Sequence, residues 1–167
     1  MNTSAADTVS RESESHLLDD LLRRIAARHP RAPALGERNT AIDFATLDGR
    51  VHRVANGLDA SGSAGDRIAI VGRNSAEQVE LLLGIARAGQ VALPVNWRLA
   101  APEIRYILGH SRATRVFADR EFAGIVAQAM EGRPVPLIVL DDAGAEGFAA
   151  WRDRQRDTPV EDRKSVV

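Results

Sequence analysis

The chain of 167 residues carries 22 basic and 23 acidic side chains, which gives a formal net charge of −1 at pH 7. This balance gives no electrostatic reason to expect a nucleic acid or an anionic membrane as a partner. The sequence has no cysteine, which excludes disulfides and thiolate chemistry, and no apolar run approaches the ~18 residues of a membrane span. The first residues lack the basic and apolar regions of a signal peptide, so a cytoplasmic protein is expected.

The first 15 residues are mostly Ser, Thr, Asp, Glu and Ala. Such a segment cannot bury enough apolar surface to offset the entropy of ordering it, so a disordered arm is predicted over residues 1–15. An amphipathic helix is predicted over His16–His29, and Pro30 ends it. The apolar face of this helix is predicted to consist of Leu18, Leu21, Leu22 and Ile25.

A β-hairpin and a second helix follow in the sequence. Short apolar runs at 33–35 and 40–42 flank a polar turn, and Pro33 can only open the first strand because it lacks a donor N–H. Asp43 is predicted to cap the next helix. That helix is indicated by apolar residues at i, i+4, i+7 and i+11. These residues are Leu47, Val51, Val54 and Leu58.

The stretch Gly65–Leu99 predicts a strand, a helix and a second strand, which is a parallel βαβ unit. The strands are predicted at 67–71 and 91–95. Ser75 and Gln78 have the spacing of a capping box, and Gly89 lies where a left-handed residue would end the helix. The apolar face of this helix is predicted to consist of Val79, Leu82, Leu83 and Ala86.

Alternating helices and strands continue through the rest of the chain. Pro102 is expected at the first position of a helix, and a further helix is predicted over 121–130. Strands are predicted at 114–118 and 136–140, and another helix begins at 148–152. The predicted fold is therefore α/β, with an open, mostly parallel sheet and helices on both faces. Inward-facing helical residues are predicted to be Ile104, Ile107, Leu108, Phe122, Ile125, Val126 and Ala129.

Three loops offer candidate chemistry. The turn Gly72-Arg73-Asn74-Ser75 runs from a strand to a helix, so it is either an anion site or a plain helix cap. Asp141-Asp142 follows a strand at the edge where open α/β sheets bind ligands, and this acidic pair is either functional or solvated. No histidine pair has metal-ligand spacing, and no Ser/His/Asp triad is indicated, so neither metal nor catalytic residues are predicted.

Asn96-Trp97-Arg98 leaves the predicted strand 91–95 at the same edge of the sheet. Arginine is suited to phosphate, and tryptophan to stacking or to interface packing. One interpretation is a ligand site. In the other, Trp97 covers the edge of the sheet and Arg98 pairs with Glu103.

The end of the chain has a different character. From Arg152 onwards the sequence shows no apolar period, and the final hexapeptide contains the only lysine, Lys164. The same hexapeptide, Asp-Arg-Lys-Ser-Val-Val, results from translating a common short-read sequencing adapter in one frame. Residues 162–167 are therefore expected to be a non-native tail, with a genuine polar tail as the alternative.

Several segments taken in order resemble the adenylate-forming ligases, the acyl-CoA synthetase and AMP-binding superfamily. Ile42–Leu47 is similar to the first core motif, Gly65–Ile70 to the Gly-Asp-Arg-Val-Ala strand, and Ala86–Asn96 to the second core motif. Asn96–Leu99, followed by Glu103 and Tyr106-Ile107-Leu108, resembles the form common in acyl-CoA ligases for fatty or aromatic acids. The likeness runs from about Leu17 to Leu140.

The resemblance implies that residues 16–161 are the incomplete N-terminal subdomain of an ATP-dependent acyl-CoA ligase. The parent would activate a fatty or aromatic carboxylic acid as acyl-AMP and transfer it to CoA, using ATP and Mg²⁺. The family's Ser/Thr/Gly-rich loop, its adenine and ribose motifs and its mobile-domain lysine do not occur in residues 1–167. The fragment is therefore expected to be inactive and to bind none of these cofactors tightly.

Among the residues present, only Arg98 is assigned a ligand role by the resemblance, near the phosphates of CoA. An amino-acid-activating domain is the alternative within the family. It is disfavoured by Asn96-Trp97-Arg98, because such domains more often carry an acidic residue after the proline of the second motif. A free-standing α/β binding or interaction module is the alternative from another class.

Overall fold

The computed structural model of the chain describes residues 18–37, 40–133 and 135–158. The predicted arm at 1–15 and the predicted tail at 162–167 lie outside these residues. The described helices are α1 (Leu18–Arg28), α2 (Phe44–Asp59), α3 (Ala76–Arg87), α4 (Ala101–Ser111), α5 (Arg120–Ala129) and α6 (Phe148–Asp153). The described strands are β1 (Pro33–Glu37), β2 (Thr40–Asp43), β3 (Arg67–Val71), β4 (Val91–Val95), β5 (Arg115–Ala118) and β6 (Leu137–Val139).

The strands form two separate sheets. β1 and β2 make the predicted antiparallel hairpin, with Pro33 at its first position. The other four strands are all parallel and have the order β4-β3-β5-β6. Ile70 lies opposite Pro94 on one side and Phe117 on the other. The predicted parallel α/β fold is confirmed.

Helices cover both faces of the parallel sheet, because successive strand residues point to opposite sides. Ala69 and Val71 of β3 belong to a buried cluster with residues of α4 and α5. Ile68 and Ile70 belong to a second cluster with residues of α2, α3 and α6. A third, smaller cluster joins α1, α2 and the hairpin around Leu22, Leu47 and Val51.

Local signals in the sequence place most helix ends correctly. Asp43 accepts a hydrogen bond from the Thr46 backbone N–H at 2.8 Å, and Ser75 accepts one from the Gln78 N–H at 3.2 Å. Gly89 has a φ of 67°, the left-handed conformation expected of it. Pro102 differs slightly from the prediction, because α4 begins at Ala101 and the proline is its second residue.

The predicted apolar face of α3 is wrong at its two ends, Val79 and Ala86, whereas Leu82 and Leu83 are partly buried and pack against the core as predicted. Ala86 is exposed and Val79 is 36% exposed, whereas the buried residues include Glu80, Leu81 and Ile85. The cause is that α3 presents Gly84 and Glu80 to α2 and α6, where Gly84 allows close approach and Glu80 is neutralised by arginines. The predicted face of α1 is wrong at Leu21, which is 48% exposed, while Ala26 is buried together with Leu22.

The segment after α6 is bound along α2. Asn56 donates from Nδ2 to the carbonyl oxygens of Arg156 and Thr158, both at 2.7 Å. Trp151 packs so closely against Gly57 that a Cβ there would lie 2.6 Å from the indole Cζ2. None of the helices in the described part of the chain is both long and apolar enough to span a membrane.

Candidate ligand site at the carboxyl edge of the sheet

The carboxyl ends of parallel strands meet at one edge of a sheet, which is where open α/β folds bind ligands. Here that edge brings together the residues that follow β3, β4, β5 and β6. They include Arg73, Trp97, Arg98, Asp119 and the pair Asp141-Asp142. All three loops that the sequence indicated as candidate chemistry therefore lie on the same side of the molecule.

Trp97 is the centre of a stacked cluster at this edge. Its ring and that of Phe122 have centroids 5.3 Å apart and planes inclined by 24°. The guanidinium carbons of Arg73 and Arg98 lie 4.8 Å and 3.8 Å from the Trp97 ring centroid. Trp97 is half-buried and also packs against the buried cluster formed by the sheet with α4 and α5. It therefore covers the end of the sheet, as the second interpretation of residues 96–98 predicted.

The other half of that interpretation, an Arg98–Glu103 pair, is wrong. Glu103 uses its carboxylate to accept the backbone N–H of Ala100 at 2.8 Å, at the start of α4. The exposed Arg98 side chain lies over Trp97 instead, and in the part of the chain that the structure describes it forms no ion pair. The backbone N–H of Arg98 donates to Asn96 Oδ1 at 3.0 Å, which closes a tight turn after β4.

The turn after β3 binds a carboxylate of the chain itself. The Arg73 N–H donates to Asp119 Oδ2 at 2.7 Å, and Gly72 lies so close that a Cβ there would be 2.7 Å from Asp119 Oδ1. The Arg73 guanidinium contacts both oxygens of Glu121, at 2.9 and 3.0 Å. Of the two interpretations of residues 72–75, the helix cap is the one seen.

Asp119 has an unusual electrostatic position. Burial raises the pKa of Asp119, as do the negative charges of Asp141 and Glu121, against the opposing effect of the hydrogen bond from Arg73 N–H. Asp119 is also the residue before α5, yet its side chain does not cap that helix. It binds the β3 turn instead.

Of the acidic pair after β6, Asp141 binds the first backbone N–H of α5, and Asp142 binds the Arg120 side chain and its own loop. Asp141 accepts the Arg120 backbone N–H at 2.6 Å, and Asp142 accepts from the Arg120 guanidinium and from the Gly144 N–H, the latter at 2.9 Å. The Gly144 hydrogen bond and the Arg120 charge hold the pKa of Asp142 below its ordinary value. Both acids therefore have structural partners at this edge.

A buried ionic network was missed by the sequence analysis and lies away from this edge. Glu80, only 1% exposed, contacts Arg50 at 2.8 Å and Arg152 at 2.6 Å, which ties α3 to α2 and α6. Burial works against the Arg152 charge, but the carboxylates of Asp153 and Glu80 outweigh it and raise the Arg152 pKa. The spacing of apolar residues along α3 did not predict the burial of Glu80, because a glutamate between apolar residues is usually solvated.

The described residues contain no group of three or more His, Asp or Glu that could hold a metal ion. His52 Nε2 lies 3.6 Å from Oδ2 of Asp48, which is one turn earlier in α2. The Gly-rich loop 62–65, at the amino edge of the sheet, is closed by Asp66, whose carboxylate accepts the Ser63 N–H at 2.9 Å. Among the described residues, two exposed arginines at the carboxyl edge lie over the Trp97 ring, and of these Arg73 is paired with Glu121 whereas Arg98 has no ion pair.

A family model described as AMP-binding enzyme matches residues 22–165. Fatty acid--[acyl-carrier-protein] ligase ScoC of Streptomyces coeruleorubidus is 36% identical over 134 residues, which are 80% of this chain and 25% of that protein. Feruloyl-CoA synthase of an Amycolatopsis species is 40% identical over 126 residues, which are 74% of this chain and 26% of that protein. The chain thus spans about a quarter of the length of these curated relatives.

Solved structures show the same architecture. A Mycobacterium tuberculosis fatty acyl CoA synthetase superposes with a TM-score of 0.75 at 28% identity, over 86% of this chain and 29% of that one. A benzoate CoA ligase from Burkholderia xenovorans LB400 gives a TM-score of 0.78 at 24% identity, over 89% of this chain and 30% of that one. The second likeness concerns the fold alone.

Proposed function

The chain belongs to the AMP-binding enzyme family, and from that premise we propose that it is the N-terminal part of an ATP-dependent acid–thiol ligase. The proposed reaction joins a fatty or aromatic carboxylic acid to AMP, releasing pyrophosphate, and then transfers the acyl group to the thiol of CoA with release of AMP. The observation that carries the proposal is the match to a fatty acid ligase and a feruloyl-CoA synthase over at least 74% of the chain.

Within this chain we assign one ligand role, the binding of a CoA phosphate by Arg98. A guanidinium is always charged and matches phosphate oxygens with two parallel donors. The support is its exposure at the carboxyl edge and the absence of a paired carboxylate among the described residues. Arg73, the other cation over Trp97, is already neutralised by Glu121.

We place the binding of ATP and Mg²⁺ in the part of the ligase outside the described residues. In support, the Gly72–Ser75 turn is filled by Asp119, the acidic pair Asp141-Asp142 is bound to Arg120, and the described residues hold no cluster of three or more His, Asp or Glu side chains. We therefore assign no step of adenylation to this chain. Its contribution is to form a wall of the ligase and to present Arg98.

The sharpest test reads the genomic sequence beyond the codon for residue 161. A frame that continues into a Ser/Thr/Gly-rich loop, followed by a protein that exchanges pyrophosphate into ATP with fatty or aromatic acids, is the expected result. The acids tested for pyrophosphate exchange should include amino acids, because exchange with these would favour the amino-acid-activating alternative over the fatty or aromatic acid ligase. Assays with CoA and with an acyl-carrier protein identify the acceptor, because ScoC is named for the latter.

A native stop codon near residue 167 and a stable monomer that binds neither acid nor nucleotide would contradict the proposal. That outcome would favour a free-standing α/β interaction module.

A further inference from the structure

Two guanidinium groups lie over the indole of Trp97, and only one of them is held by a carboxylate. Arg73 makes two contacts with Glu121, at 2.9 and 3.0 Å. Arg98 lies closer to the ring, with its guanidinium carbon 3.8 Å from the centroid. Among the described residues the ring of Trp97 is therefore the group that defines where the Arg98 guanidinium lies.

Trp97 is itself fixed, which makes it a suitable support. Its ring stacks on Phe122, a residue of the buried cluster between the sheet and helices α4 and α5, and it lies two residues after Val95, the buried end of β4. The backbone of Arg98 is fixed as well, because its N–H donates to Asn96 Oδ1 at 3.0 Å. Both the base and the tip of the Arg98 side chain are thus restrained.

A restrained arginine has an advantage over a free one in binding an anion. An exposed arginine samples many rotamers and loses that freedom when it binds, whereas a stacked guanidinium has already lost it. Less of the binding free energy is then spent on ordering the side chain. A guanidinium that lies over a ring on one side keeps N–H groups that can donate to phosphate oxygens.

From this geometry we propose that Trp97 is a positioning residue, which holds the Arg98 guanidinium in place for a phosphate group. The inference rests on the proposed function of Arg98 as the CoA phosphate ligand. It goes beyond that function because it gives Trp97 a role in binding that covering the sheet edge does not require.

The first experiment needs no ligand. ¹⁵N relaxation and the ¹Hε shift of Arg98 are measured by NMR in the 167-residue chain, in Trp97→Leu and in Trp97→Phe, with the exposed Arg24 as the internal reference. We expect a restricted, ring-shifted Arg98 in the wild type and in Trp97→Phe, and a mobile one in Trp97→Leu. An Arg98 as mobile as Arg24 in the wild type, or unchanged by Trp97→Leu, would overturn the proposal.

The second experiment makes the same substitutions in the full-length ligase that contains this chain and titrates each protein with adenosine 3′,5′-bisphosphate, a soluble nucleotide that carries two phosphates. Trp97→Leu is expected to weaken binding about two- to fivefold, the size of an exposed cation–π contact, and Trp97→Phe to restore most of it. The effect of Trp97→Leu should vanish when Arg98→Gln is also present. If Trp97 had only a structural role, Trp97→Leu would weaken nucleotide binding by the same factor in the wild type and in Arg98→Gln. This result would reject the positioning role.

The two proposals can fail separately. If Arg98→Gln binds the nucleotide as well as the wild type, the assigned role of Arg98 is wrong, while the NMR data still decide whether Trp97 holds it. If Arg98→Gln abolishes binding but Trp97→Leu does not affect it, the positioning role alone is wrong. Amide spectra of each variant, compared with the wild type, establish that the fold is intact.

Discussion

The backbone of Gly84 in α3 lies directly against the side chain of Val54 in α2. A Cβ at position 84 would be 2.3 Å from Val54 Cγ1, far inside van der Waals contact. The two helices therefore meet where one of them has no side chain. This contact, together with Glu80, sets which face of α3 is buried.

Gly84→Ala should destabilise the chain by about 1–3 kcal/mol, although alanine is the better helix former, because the added methyl must displace Val54. Gly124→Ala in α5 is the matched control. It has no atom within 4 Å of its built Cβ and should stabilise by about 0.5–1 kcal/mol. Urea unfolding of both variants measures the change in the free energy of unfolding, which should have opposite signs for the two substitutions. A stabilising Gly84→Ala would contradict the close helix contact.

Glu80→Gln should cost about 3 kcal/mol, because it removes the carboxylate that Arg50 shares with the buried Arg152 and leaves Arg152 with only the exposed Asp153 as a countercharge. Glu77→Gln, one turn earlier on α3 and less buried, should change the free energy of unfolding by no more than ~0.5 kcal/mol. The comparison is made by chemical unfolding at neutral pH. Equal effects of the two substitutions would show that the network contributes little.

Asp119 and Asp142 should affect the pH dependence of stability in opposite directions. The raised folded-state pKa of Asp119 means that folding binds protons, so its contribution to stability falls as pH rises from 3.8 through the folded-state value. Asp119→Asn should therefore gain stability relative to wild type as pH rises through that window. Unfolding free energies measured from pH 3 to 7 give the slope.

Asp142 provides the contrasting case. Its folded-state pKa is lowered, so its contribution is present above pH 3.8 and is lost as pH falls through the folded-state value. Asp142→Asn should consequently lose stability relative to wild type as pH rises through that range. The same sign for both variants would show that the two carboxylates do not differ as their surroundings indicate.

The 167-residue chain alone should show no exchange of pyrophosphate into ATP with any carboxylic acid. The reason is that, among the described residues, the turn 72–75 is occupied by Asp119 and no cluster of three or more His, Asp or Glu side chains occurs. The measurement is radiolabelled pyrophosphate exchange, with a full-length ligase of the family as the positive control. Exchange above background by the isolated chain would refute both the expected inactivity and the assignment of residues 72–75 as a filled cap.

The sequence predicted those features of the fold that depend on neighbours along the chain. Asp43 and Ser75 cap their helices as expected, because an N-cap is decided within three residues. The parallel sheet followed from strands separated by helices. The burial of Glu80 could not be predicted, since its partners Arg50 and Arg152 lie 30 and 72 positions away.

The candidate site was predicted in part. The sequence predicted a candidate site at residues 96–98, on the carboxyl edge of the sheet, but it did not predict the contact of Arg98 with Trp97. The expected Arg98–Glu103 pair overlooked a local signal, because a glutamate in the first turn of a helix often accepts the N–H that precedes it. The stacking of Trp97 on Phe122 depends on the contact between the loop after β4 and the first turn of α5, which the spacing of residues in the sequence does not indicate.

The attachment of residues 151–158 to α2 has a consequence for synthesis on the ribosome. Asn56 and the carbonyl oxygen of Arg156 that it binds are 100 positions apart, and at about 5–20 residues per second the second follows the first by roughly 5–20 s. During that interval the Gly57 side of α2 has emerged without Trp151 to cover it. During synthesis the apolar surface of α2 around Gly57 is therefore exposed for several seconds, and chaperones can bind it in that time.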